Sequence, residues 1–440
     1  MGTDERGEPT AAPRTGWRTA WIVAQLALLL LVVTLLRTES PELRSVVGAC
    51  GASFVLLAHV PAAWRDGVTL ALSLVGGTWL VAREQEAVGH FERSLLTAAV
   101  FVALLVAFAL LVLWILRWKA PARARVAALA AVGAVVCWLR ARGLVLADPQ
   151  WRVVGALFMF RTIVYAYDAL TAKQPQRWID GLNYFFLLPA FHFLLFPVVD
   201  YATWRRSRAP DLHATAQRGV AWMALGVAQL ALYRLLYIKV AVGPDEVRSF
   251  ATLCRYVFPA YLMYTNVSGQ FALILGLLHL LGWRLPETNR DWLLADSFTD
   301  FWRRINVYWK EFMVRLFWFP AYFRLRKKGE KLALCVATVV VFVATTLLHG
   351  WQGFWLRGDF AVRAQDLLFW GVLGVVVMVG VVREQGGATK APIASRARGV
   401  TPRRVLSTLG VWLSISLLWS LWSSPSLGDW LETICWWRRA

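Results

Sequence analysis

Two polar residues set in apolar surroundings carry the chemistry that this sequence could do, Asn306 and His349. His349 closes the apolar run Leu332–Leu348, directly before Gly350. An ionisable group in or beside a membrane span is costly, so it should face a cavity or a partner. A neutral imidazole accepts a proton near physiological pH and suits a general base. A helix-end histidine that merely hydrogen-bonds a carbonyl fits the same position, and position alone leaves both readings open. Asn306 cannot act as a base. Its amide can donate a hydrogen bond to a developing oxyanion, or simply join two helices. Trp302, Arg303, Arg304, Trp309 and Lys310 surround it in sequence. His192, between Phe191 and Phe193 after Pro189, reads as structural or tunnel-lining.

The element that must position Asn306 is read from Ser297 onward. Ser297-Phe-Thr-Asp300 fits a capping box, which predicts a helix start. Phe298, Phe301, Ile305, Tyr308 and Phe312 then recur at spacings of three and four, one apolar face of an amphipathic helix. Trp302, Asn306, Trp309 and Met313 form the adjoining stripe, with Asn306 its polar member. A Trp-rich face flanked by Arg303, Arg304 and Lys310 predicts a helix lying at the membrane interface.

The rest of the chain says membrane. Of 440 residues 58% are hydrophobic and 17% charged, against ~25% charged in a soluble domain. Twelve apolar runs follow one another: Trp21–Leu36, Ser45–Trp64, Gly67–Val81, Ser94–Trp118, Val126–Trp138, Val153–Ala169, Leu182–Tyr201, Gly219–Val240, Phe250–Leu281, Leu332–Leu348, Asp366–Val382 and Val405–Trp422. Each needs ~20 residues to cross the hydrocarbon and closes its own backbone hydrogen bonds as a helix. The expected fold is therefore all-α, a polytopic transmembrane bundle of about 10–12 spans with interfacial or re-entrant helices. Val126–Trp138 is short enough to be re-entrant. Phe250–Leu281 is long enough for a tilted span, a broken one, or a span plus an interfacial piece. Residues 1–16 read as a disordered polar tail and 17–440 as one membrane domain. Trp17, Trp21, Trp64, Trp114, Trp118, Trp204, Trp283 and Trp422 sit at run ends, where interface anchors belong.

The net charge of +20 would raise nucleic-acid binding in a soluble protein. Here the basic residues gather in short loops, Arg117–Arg125, Arg205–Arg218, Arg324–Lys331 and Arg383–Arg404. That is the positive-inside pattern, so the expectation is four cytoplasmic loops near anionic lipid and no nucleic-acid partner. An even pair of runs separates the last two clusters, but three separate the first two, so either one of those three is interfacial or re-entrant or one cluster lies on the other side. The first run lacks a small-residue cleavage signal and reads as a retained helix. Five scattered cysteines without a Cys-x-x-Cys predict neither a disulfide framework nor a metal site.

Residues 264–356 resemble the membrane-bound O-acyltransferase (MBOAT) family, most closely its bacterial branch of alginate O-acetylation and teichoic-acid D-alanylation proteins. Three pieces carry the resemblance. Gly282-Trp-Arg-Leu-Pro-Glu-Thr-Asn289 looks like the family's Gly-x-x-x-Pro-Glu-Asn-like stretch. Asp300-Phe-Trp-Arg-Arg-Ile-Asn306 looks like Asp-Phe-Trp-Arg-Arg-Trp-His, and Leu347-Leu-His-Gly350 like Leu-Trp-His-Gly. Asn stands at position 306 where the bacterial branch usually has His, as in the lipid- and sterol-modifying members, and Ile305 replaces Trp. The resemblance implies O-acyl transfer with His349 and Asn306 catalytic. Trp302, Arg303, Arg304 and Trp309 would sit around an acyl-CoA or other acyl thioester, used as co-substrate and not as a tightly bound cofactor. It further implies a hydroxyl-bearing glycan or lipid acceptor, membrane lipids around the chain, an extracytoplasmic acyl-transfer partner protein, and a bacterial cell membrane. Two rival readings come from other classes. A transporter or flippase would want several intramembrane charges, for which Asp168, Asp200, Arg234 and Lys239 are candidates. A polyprenyl-phosphate glycosyltransferase would want acids in an early outer loop, for which Glu84, Glu86 and Glu92 are candidates.

Overall fold

The computed structural model describes residues 14–36, 41–85, 91–171, 177–386 and 401–438. Among them the chain is helical and contains no strand. Backbone that cannot reach water must close its hydrogen bonds locally, and helices do so. Nine of the described helical segments are long and apolar enough to cross a membrane. The chain is an all-α, multi-pass membrane protein.

The first helices are α1 (Arg14–Leu36), α2 (Pro41–His59), α3 (Arg65–Gln85), α4 (Phe91–Arg117) and α5 (Ala122–Ala141). Helix α1 begins at Arg14, inside the expected tail; residues 1–13 lie outside the described residues. Helix α5 corrects the expectation of a short re-entrant piece: it has 20 residues and reaches spanning length. Alanines and arginines at both ends of Val126–Trp138 extend it, because alanine favours helix while adding little hydropathy.

Two helices, α6 (Asp148–Phe158) and α7 (Arg161–Thr171), together make one apolar segment of spanning length. The run Leu182–Tyr201 does not cross. It contains the end of α8 (Trp178–Phe185), a tight turn over Leu188–Phe191 and irregular backbone up to α9 (Tyr201–Arg206). Pro189 and Pro197 forbid a continuous helix there. Its backbone is buried within protein, the only setting in which such irregularity is tolerated at membrane depth.

Helix α10 (Leu212–Leu235) packs backbone to backbone on α12 (Tyr264–Leu280), which follows α11 (Phe250–Leu262) across a break at Met263. A Cβ on Gly276 would lie 2.6 Å from the Gly219 carbonyl oxygen, and one on Gly226 would lie 2.8 Å from that of Gly269. Small residues permit this approach. Phe250–Leu281 is thus the broken form, with Pro259 inside α11.

The amphipathic segment is also broken. Instead of one helix it forms α13 (Phe298–Arg304) and α14 (Val307–Met313), followed by a wide turn over Val314–Trp318 and α15 (Phe319–Leu325). Ser297 caps α13 as expected, its Oγ accepting from the Asp300 N–H at 3.2 Å. Then come the hairpin α16 (Glu330–Arg357) and α17 (Ala364–Gly386), and finally α18 (Pro402–Trp422) and α19 (Leu427–Ile434). Of the basic loop Arg383–Arg404, residues 387–400 lie outside the described residues.

Because Leu182–Tyr201 does not cross, two spanning segments now separate each pair of successive basic clusters. The count between clusters is thus even throughout, as a path with all the basic clusters on one side requires. Among the expected anchors, Trp17, Trp21, Trp64, Trp114 and Trp118 are exposed. Trp204 and Trp283 are not anchors: both are buried and stack on each other at 5.3 Å. Single cysteines replacing Lys119, Arg206 and Lys327, in a chain stripped of its own five, should react with an impermeant maleimide from the same side of sealed vesicles. Labelling of any one from the opposite side would overturn this path.

Candidate functional site

Asn306 owes its conformation to the break it occupies. Ile305 is extended and Asn306 is left-handed, with φ 39° and ψ 64°. Asparagine is one of the few residues that enter this region routinely. Its side-chain oxygen accepts from the Trp309 N–H at 3.2 Å and so caps α14. The freed backbone groups find partners in the preceding loop. Asn289 Oδ1 accepts from the Asn306 N–H at 2.9 Å, and the Thr288 carbonyl accepts from the Val307 N–H at 2.7 Å. The Arg304 carbonyl accepts from the Arg290 N–H at 2.9 Å. The Tyr264 hydroxyl donates to the same Asn289 oxygen at 2.9 Å, tying the break to α12. With Oδ1 committed to the cap, Nδ2 of Asn306 is left without a hydrogen-bond partner among the described residues.

His349 does not end a helix, as the sequence suggested. Helix α16 runs on to Arg357, so the imidazole projects from the body of a 28-residue helix. It lies nineteen residues beyond Glu330, about 29 Å along the axis at 1.5 Å per residue. No side-chain hydrogen bond to it occurs among the described residues; aromatic rings hold it instead. Trp370 stacks on it at 4.8 Å, Trp422 meets it edge-on at 5.6 Å and Trp309 lies at 5.8 Å. Trp422 Nε1 donates to Asp366 Oδ1 at 2.6 Å, and Asp366 Oδ2 accepts from the Arg363 N–H at 2.8 Å. Trp422, read as an interface anchor, is therefore part of this cage. Gly350 lets the Phe360–Val362 connection close on α16, since a Cβ there would lie 3.0 Å from Val362 Cγ2.

Asn306 and His349 line one cavity of about 910 Å³, together with Trp302, Trp309, His192 and Gln270. On α16 its wall runs from His349 to Arg357, and on α17 from Gln365 to Leu373, towards the turn between the two helices. A second cavity of about 720 Å³ lies nearer the other end of the hairpin, against Thr338, Val341, Phe342, Val377 and Val381. Val198, Trp302 and Lys310 line both, so they form the partition. Burial lowers the pKa of the Lys310 ammonium below the ordinary lysine value, while Glu311, 3.8 Å away, opposes the shift. Burial likewise lowers the pKa of His192.

The two arginines expected near a donor are committed elsewhere. Arg303 pairs with Glu384 at 2.5 Å on α17 and lines only the second cavity. Arg304 pairs with Asp300 at 2.8 Å and lines neither. Arg303 fastens α13 to α17 while Arg304 closes back on α13 itself, and Lys310 is the cation left at the partition. The sequence reading missed Asp366 and Trp370, and it missed Asn289 as the support of the break. Asp366 was legible as the one acid opening an apolar run; the others carried no local signal.

No protein-family model matches the chain, and no curated protein matches it.

Asn306→Gly should keep the left-handed backbone and cost a few tenths of a kcal/mol, whereas Asn306→Ala should cost about 2 kcal/mol from strain plus the lost cap. Thermal unfolding of the purified variants in detergent checks the order. Equal melting of the two would contradict a strained, capping Asn306.

Proposed function

We propose that this protein is a membrane-bound O-acyltransferase. It moves an acyl group from an acyl-CoA-like thioester to a hydroxyl of a cell-envelope glycan or lipid. The observation that carries this reading is that Asn306 and His349, forty-three residues apart in sequence and in motifs that resemble the family's, line one cavity. The resemblance was drawn from sequence; the shared cavity is independent of it.

In this mechanism His349 takes the proton of the acceptor hydroxyl while that oxygen attacks the thioester carbonyl carbon. Nδ2 of Asn306 donates to the carbonyl oxygen as negative charge gathers on it. Collapse of the tetrahedral intermediate breaks the carbon–sulfur bond, and the imidazolium returns its proton to the thiolate. The products are an ester and a free thiol. Indole rings around His349 exclude water, which strengthens each of these interactions and suppresses hydrolysis of the thioester. Asp366, fixed by the Trp422 indole and the Arg363 N–H, lines the same cavity as His349.

The stacked cavities suggest a division of labour. The second lies towards the start of α16 and the end of α17, next to the basic residues Arg324–Lys331 and Arg383, the side where a cytoplasmic thioester would arrive, and Lys310 at the partition would attract its phosphates. The first opens towards the opposite end of the α16–α17 hairpin, where an extracytoplasmic acceptor or partner protein would dock. A bacterial cell membrane fits this arrangement. A transport path is less well supported. Its acidic candidates Asp168 and Asp200 both face Arg315, and neither lines the cavity that holds His349.

His349→Ala should abolish acyl transfer in membranes while the protein still accumulates to normal levels. Asn306→Gly, which keeps the backbone, should lower kcat ~10²–10³-fold, the loss expected for one oxyanion donor. Radiolabelled acyl transfer with immunoblotting checks both, and full activity in the histidine variant would sink the assignment.

A further inference from the structure

Away from the two cavities, a third pocket is built from charged and buried polar groups. It measures about 310 Å³ and shares no lining residue with either cavity. Helix ends make its wall. Asp66 lies in the first turn of α3, Asp180 and Asn183 lie on α8, and Trp204 and Arg205 lie on α9. Trp283 follows the end of α12. Arg205 and Arg208 belong to one of the basic clusters, so the pocket sits on the face of the basic loops. Exposed Trp178 beside it, with the Arg117 guanidinium 4.1 Å from its ring centroid, marks the membrane interface.

Three buried atoms in this wall have no hydrogen-bond partner among the described residues: Nε1 of Trp204, Nε1 of Trp283 and Oδ1 of Asn183. The three residues are 5%, 1% and 1% exposed. Buried polar atoms are paired in nearly all native proteins, so three orphans around one pocket point to a ligand. The charges around them say which. Arg177 bridges Asp66 and Asp180 at 3.1 and 2.6 Å, and Arg208 pairs with Asp66 at 3.0 Å. Arg205 forms no ion pair among the described residues. Two indole N–H groups and an uncommitted guanidinium suit an anion. Asn183 asks for the opposite. Its Nδ2 donates to the Asp66 carbonyl at 2.9 Å and Asp180 lies one turn before it, so its Oδ1 is an acceptor in the field of two carboxylates. A cation that carries N–H bonds suits it.

We infer that this pocket seats an aminoethyl phosphate group, as carried by phosphatidylethanolamine or by free phosphoethanolamine. The phosphate accepts from Trp204, Arg205 and Trp283, and the primary ammonium donates to Asn183 Oδ1 beside Asp66 and Asp180. Choline has no N–H to donate, and a glycerol headgroup has no positive charge for the acids. The ligand is not a reactant, because the pocket is separate from the cavity of Asn306 and His349, and its binding does not depend on the proposed acyl transfer. A group seated there ties the ends of α3, α8, α9 and α12 together.

The delipidated full chain in detergent is mixed with equimolar dioleoyl phosphatidylethanolamine, phosphatidylcholine and phosphatidylglycerol, and bound lipid is read by native mass spectrometry. Free phosphoethanolamine is titrated separately by calorimetry. The wild type should retain the ethanolamine lipid over the other two. Binding of the lipid alone assigns the site to the membrane, and binding of the free ester assigns it to a soluble source. Arg205→Gln changes an exposed side chain and should weaken binding about tenfold. Trp283→Phe keeps the ring, loses the N–H and should weaken it roughly threefold; the Arg205 variant serves if this one does not fold. No binding of lipid or free ester, equal retention of the three lipids, preference for the glycerol lipid, or unchanged binding in Arg205→Gln would each overturn the inference.

Discussion

A backbone inside a membrane protein must hydrogen-bond within the protein, and this chain meets that demand at one costly place, between Ile305 and Asn306. There the helix stops, turns left-handed and restarts. The segment Thr288–Arg290 lies alongside and takes up the backbone groups that the break releases. The arrangement turns α14 away from the line of α13 and brings Trp309 against His349. It also fixes the Asn306 amide with one end in the cap and the other uncommitted. An unbroken helix would present none of these together.

The α16–α17 hairpin supplies the opposite wall. It carries His349 on one arm and Asp366 and Trp370 on the other, so a single packing interface sets their spacing. Phe342 on α16 meets Trp302 at 4.8 Å, and Thr299 of α13 fills the space over Gly380 of α17. The broken segment is thus wedged against the hairpin, with one cavity on each side of the wedge. The Arg303–Glu384 pair holds it there. Of the two motif arginines that invite a ligand-binding reading, Arg303 fastens α13 to α17 and Arg304 pairs within α13.

Hydropathy made the membrane class legible, and eleven of the twelve runs are helical. The Ser297 cap was legible for a local reason, since a serine before an apolar run has few better uses. The break at Asn306 was not, because apolar spacings of three and four continue through it unchanged. Only the left-handed tendency of asparagine hinted at it, and that is a weak signal without the loop that pairs with it. Leu182–Tyr201 misled because hydropathy outweighed Pro189 and Pro197. Helix α5 misled in the other direction, because alanine builds helix without much apolar signal. Asn306 and His349 were legible as polar residues in apolar surroundings, and a resemblance of motifs singled them out, whereas nothing marked the tryptophan cage. Trp370 and Trp422 come from separate helices, and a tryptophan at a run end looks the same whether it faces lipid or a histidine.

The central claim is acyl transfer from a thioester to a hydroxyl across this fold. The most direct test uses sealed inside-out membrane vesicles, with and without the protein, given radiolabelled acyl-CoA at the face of the basic loops. The account predicts alkali-labile label in envelope glycan or lipid only where the protein is present. Equal label in both preparations, across the short- and long-chain donors tried, would contradict it.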